Sequence, residues 1–131
     1  MNEYYNIFKE IKHIAVVGIS DKPYRDSLKI ANFLKGKGYY IYGVHPQLKE
    51  VDGITVYKKL FEIPGQIDLV DVFVNSKRIE EIIQDLILCK PKYVWFQLGI
   101  KNDSAVAALE NEGIKVIEGK CIKIEYQRCF N

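Results

Sequence analysis

The chain has 131 residues, 48% of them hydrophobic and 27% charged, with a formal net charge of +2 and a pI near 8.3. That composition describes an ordinary globular protein, read here as a single domain over residues 1–131. The mild charge argues against nucleic acid as a partner, and no apolar run approaches the roughly 20 residues of a membrane span. Residues 1–12 carry Glu3 and Glu10 and lack an unbroken apolar core, so they do not read as a signal peptide. Cys89, Cys121 and Cys129 are odd in number and widely spaced, which speaks against a disulfide framework and for a reducing, cytoplasmic setting. His13 and His45 have no metal-ligand neighbours in sequence, so a zinc site is not expected.

In chain order, residues 3–11 predict a lead-in helix with Tyr4, Ile7, Phe8 and Ile11 on one face. A first strand follows at 13–18, then a helix over 25–36 that Gly36 and Gly38 close. The second strand, 39–44, stops at His45-Pro46. A short strand at 54–57 follows the Asp52-Gly53 turn, and residues 58–61 suit one helical turn. Then come a strand at 68–74, an amphipathic helix at 76–88 and a strand at 92–97. A helix at 102–112, capped by Asn102 or Asp103, precedes a last strand at 114–117 and a tail that packs as a short helix. Strands alternating with helices predict an α/β fold, a parallel sheet with helices on both faces and right-handed crossovers.

In such a sheet the ligand lies beyond the carboxyl ends of the strands. The first strand ends in the turn Gly18-Ile19-Ser20-Asp21-Lys22-Pro23, with Arg25 at the start of the next helix. Gly18 permits close backbone approach, Ser20 offers a hydroxyl, and the helix dipole favours an anion there. The same pattern also fits a plain tight turn. A dinucleotide fingerprint is not met, because Ser20 and Pro23 stand where further glycines belong. Residues 43–46 hold no acid at the end of the second strand to clamp a ribose, which disfavours NAD. Lys22, Arg25, Lys49, Lys77 and Arg78 suit a ligand with several phosphates, or are solvated helix ends. His45 is a base or phosphate contact or a turn residue, and Gln97 a ligand contact or a loop anchor. Trp95 reads as core, and Cys121 as an inert buried thiol or one that approaches the site. Asp68 and Asp71 are expected at the beginning of their strand, away from the site. No arrangement of serine, histidine and acid suggests nucleophilic catalysis.

Val16-Val17-Gly18-Ile19-Ser20, Val44-His45-Pro46, residues 68–73, residues 94–102 and Glu118 to Ile122 occur in an order that resembles the small stand-alone CoA-binding domain proteins. These are relatives of the nucleotide-binding N-terminal domain of the succinyl-CoA synthetase α subunit. The resemblance covers about residues 10–128, and the Trp-Phe-Gln-Leu-Gly segment with the late cysteine is its most specific part. It implies a Rossmann-like fold that binds coenzyme A or an acyl-CoA. Ser20 to Pro23 would face the phosphates. Val44, His45 and Pro46 would line the loop after the second strand, with Lys49 a phosphate partner. Val74, Asn75 and Ser76 would line the pantetheine or adenine side, and Phe96, Gln97 and Leu98 would complete the pocket. Two positions depart from the family pattern: His45 replaces a usual asparagine, and Val74 a frequent arginine. The synthetases keep their phosphohistidine and acyl-transfer machinery in other domains, so the implied role is binding without catalysis. The alternatives are a detached subunit of an NDP-forming acyl-CoA ligase and a nucleotide or redox sensor. The implied protein partners are a second copy of the chain or a ligase subunit.

Overall fold

The computed structural model describes residues 2–130. Helix α1 (Tyr5–Glu10) turns Tyr4, Ile7, Phe8 and Ile11 inward as their spacing predicts, and all four are buried. Strand β1 (His13–Val17) leads into α2 (Asp26–Gly36) and β2 (Tyr40–Val44). A hairpin follows, β3 (Glu50–Val51) and β4 (Ile54–Tyr57), and then a 3-10 turn at Leu60–Glu62. The second half alternates regularly: β5 (Leu69–Val72), α3 (Ile79–Cys89), β6 (Tyr93–Phe96), α4 (Asp103–Asn111), β7 (Lys115–Ile117) and α5 (Ile122–Phe130).

The seven strands form one sheet in the order β3-β4-β2-β1-β5-β6-β7. Every pairing is parallel except that of β3 with β4. Strand β3 is the one strand the sequence did not announce. The Asp52-Gly53 turn, with both residues at positive φ (50° and 80°), folds its two residues back on β4. The central strands β1 and β5 are almost wholly buried and, apart from His13 and Asp71, apolar, as a sheet covered on both faces requires.

One core packs α1, α2 and α5 against Ile14, Val16, Leu69 and Trp95. The other packs α3 and α4 against Ala15, Val17, Val70, Val72, Val94 and Phe96. Alternate residues of each strand thus feed opposite faces. Phe96 belongs wholly to the second core, at 0% exposure. Asp68 lies at the amino end of the sheet as expected, where its Oδ2 accepts from the N–H groups of Lys12 and His13. The order of strands reverses between β1 and β5, so their carboxyl ends open a crevice at the topological switch point.

Candidate functional site

The crevice begins at Gly18, whose φ of +87° is open to glycine without strain. A Cβ there would lie 3.2 Å from the Phe73 carbonyl carbon, so glycine also lets the β1 turn pass beside the end of β5. Ile19 then folds back over β2. A Cβ on Gly43 would come within 2.9 Å of the Ile19 side chain, so the bare backbone of Gly43 provides its seat. Ser20 closes the turn by accepting from the Lys22 N–H (3.0 Å), which leaves its hydroxyl hydrogen able to donate. Arg25, the N-cap residue of α2, makes no side-chain cap, so the first N–H groups of this 11-residue helix are available to an anion.

His45 has a definite role in the next loop. Its Nδ1 accepts from the N–H groups of Gln47 (3.0 Å) and Leu48 (3.1 Å), the Asx-turn arrangement that asparagine or aspartate ordinarily supplies. An Nδ1 engaged as acceptor puts the ring hydrogen on Nε2, which is then a donor.

Two adjoining cavities occupy the strand ends and share Asp26, Phe73, Val74 and Asn75. The first, about 1180 Å³, runs from Gly18, Ile19, Ser20, Asp21 and Lys22 past Val44, His45 and Pro46 to Lys58 and Lys59. Arg25 and Arg78 add positive charge to its walls, and Asp21, Asp26, Glu81 and Asp85 add carboxylates. Two of the cations are tied to these acids: Arg78 pairs with Glu81 at 3.3 Å and Lys59 with Asp85 at 3.9 Å. The second cavity, about 1020 Å³, is more apolar and is lined by Ile30, Leu98, Ile100 and Ile124 with Ser76, Gln97 and Cys121. Lys29, Lys77 and Lys123 stand around it. Asn75 joins the halves and accepts from the Arg78 N–H at 3.1 Å, capping the 3-10 turn that starts α3.

Gln97 directly follows β6 and is 6% exposed. Its Nε2 donates to Oδ1 of Asp71, one position from the carboxyl end of β5 and completely buried. The sequence reading of Asp71 as remote from the site is corrected to this extent: β5 begins only at Leu69, and Asp71, which lines neither cavity, is bonded to Gln97 on the wall of the second. Burial pushes its carboxyl up to about 8, and the Gln97 hydrogen bond offsets only part of that. Among the described residues, the buried side-chain oxygens without a partner are Asp71 Oδ2 and Glu118 Oε2.

Three expected residues stand off the cavity walls. Pro23 only shapes the turn. Lys49 sits where the chain enters the β3–β4 hairpin, its carbonyl accepting from the Val56 N–H. Phe96 points into the core because the residue that ends a strand alternates away from its neighbour Gln97. Sequence reasoning missed Lys58, Lys59, Tyr24 and the α5 residues Ile124 and Gln127. Lys58 carried a signal, since it directly follows a strand that proves parallel; the approach of α5 to the strand ends carried none.

A mostly parallel sheet with a glycine turn, a bare helix N-terminus and a cleft at its switch point defines a Rossmann-like α/β protein. The chain matches the CoA binding domain model over residues 12–127 and belongs to that family. It is 34% identical to YneT of Bacillus subtilis over 124 residues, covering 95% of this chain and 92% of that protein. It is 37% identical over 82 residues to the α subunit of acetate–CoA ligase (ADP-forming) II of Pyrococcus furiosus, which is 62% of this chain but only 17% of that subunit. A Thermus thermophilus structure superposes with a TM-score of 0.95 at 28% identity, covering 99% of this chain and 100% of that one.

Proposed function

We propose that this protein binds coenzyme A in the cleft at the strand ends and does so without transforming it. The observation that carries the reading is the division of the cleft into a more polar half at the α2 N-terminus and a more apolar half beyond Asn75. Coenzyme A has the same division, a phosphate-rich nucleotide joined to a long uncharged arm. The diphosphate fits the β1 turn and the free N–H groups of α2, with Lys22 and Arg25 beside it. Tyr24 and the His45 ring offer aromatic surfaces to the base, and Lys58 suits the additional ribose phosphate. The pantetheine arm crosses Val74 and Asn75 towards Ser76, Gln97 and Leu98. Arg78, one turn beyond Val74, supplies positive charge on the side where the family's arginine is replaced. Similarity to 17% of a ligase subunit supports the shared binding domain and does not carry the ligase reaction with it.

Thermal unfolding with coenzyme A, dephospho-coenzyme A and NAD tests the reading. Coenzyme A at about 100 times its Kd should stabilise the protein by roughly 2.7 kcal/mol, a rise of several degrees in Tm. Dephospho-coenzyme A should raise Tm less, and NAD not at all. An unmoved midpoint in millimolar coenzyme A refutes the proposal.

A further inference from the structure

The three cysteines occupy different places, and only Cys121 lies on a cavity wall among the described residues. Cys89 ends α3, and Cys129 lies in the last turn of α5. Burial pushes both of those thiols up, with Glu125 adding to the effect at Cys129, and this holds back the thiolate that does the chemistry. Cys121 is partly exposed and shares the apolar half of the cleft with Phe73, Gln97, Leu98 and Lys123. Its segment is held from two sides. Trp95 Nε1 donates to the Lys120 carbonyl at 2.9 Å, and the Cys121 carbonyl accepts from the Glu125 N–H at 3.0 Å as α5 begins.

A second polar group serves the same space. Gln97 is almost fully buried and lines this cavity; its Nε2 is committed to Asp71, and its Oε1 has no hydrogen-bond partner among the described residues. An acceptor that opens onto a cavity wall and takes no donor from the protein can take one from a ligand. The terminal amide N–H of a pantetheine arm is such a donor, and the arm's sulfur lies two carbons beyond it.

Resting on the coenzyme A reading above, we propose that Cys121 is a thiol-exchange site that forms a mixed disulfide with coenzyme A delivered as a disulfide. The Cys121 thiolate attacks the coenzyme A sulfur. A bond from Sγ to that sulfur forms as the original S–S bond breaks, and the departing thiolate takes up the proton that Cys121 released. The incoming disulfide is the oxidant, and excess free thiol reverses the exchange. Gln97 positions the arm by accepting from its amide. Under oxidising conditions the cleft therefore stays occupied by its own tethered ligand.

The test exposes the full chain to symmetrical coenzyme A disulfide and, separately, to oxidised glutathione, followed by intact mass and peptide mapping. The same protein is titrated with reduced coenzyme A by calorimetry. The expected result is a single adduct on Cys121, at least about tenfold faster with the coenzyme A disulfide because binding raises its effective concentration. Reduced coenzyme A should slow it and dithiothreitol reverse it. A Cys89→Ser/Cys129→Ser protein should still form it, and Cys121→Ser should not. Equal labelling of all three cysteines, or equal rates with the two disulfides, overturns the proposal. Coenzyme A binding without an adduct overturns this proposal alone. Absence of both overturns it together with the reading it rests on.

Discussion

Asp71 is a carboxyl group placed where charge is expensive. Unfolded, it titrates near its ordinary 3.8; folded, burial lifts it to about 8. Below the lower value both states are protonated and the group costs nothing. Between the two, the unfolded chain has released its proton while the folded one keeps it, so every rise in pH favours unfolding; above the upper value the penalty levels off. Asp71→Asn keeps an acceptor for Gln97 and removes the titration. Its stability relative to the parent should therefore rise by about 1.4 kcal/mol per pH unit across this window, read from urea midpoints at several pH values. A difference that does not change with pH would show that Asp71 is ionised in the folded protein. Residue type alone could not reveal this group, since a buried carboxylate in a strand looks like any other until its register is known. His45 is the opposite case. The proline after it marked a turn, and the ring does fold the loop, through an acceptor nitrogen that imitates an asparagine oxygen.

Helices were the most legible elements because their apolar stripes and caps are local. Asn102 shows this well: its Oδ1 accepts from the Ala105 N–H at 3.0 Å and starts α4 where the sequence placed the start. It lies off both cavity walls. Asn102→Ala should thus cost about 1 kcal/mol of stability and leave coenzyme A affinity unchanged, as denaturant unfolding and calorimetry on one preparation would show. Lost affinity at unchanged stability would contradict the placement of the cleft. Strand ends were less legible. The apolar run at 68–74 extends past β5, which ends at Val72, because Phe73 and Val74 line the cleft. Strand β3 was invisible because two residues carry no periodicity, and the Asp52-Gly53 turn was its only sign.

Across the whole molecule, the alternation of strand and helix was enough to locate the cleft, since a parallel sheet of this kind leaves its switch point open at one end. What could not be foreseen came from packing between distant segments: α5 beside the strand ends, Trp95 holding the Cys121 segment, and Gln97 over Asp71. The cover of the sheet is also uneven. Between β4 and β5 the chain forms only a 3-10 turn, and on the α3 side Tyr40 is 62% exposed, with Tyr42, Tyr57 and His13 partly so. Strands β2 and β4 are registered at just two positions, Gly43 with Val56 and Val44 with Tyr57. Amide hydrogens of β4 should therefore exchange with deuterium well before those of β1 and β5, as the least protected unit of the native state. Lys58 and the β1 turn lie on opposite sides of that seam. A nucleotide that reaches both bridges the seam, so bound coenzyme A should slow exchange most in β4 and least in α4, whose residues line neither cavity.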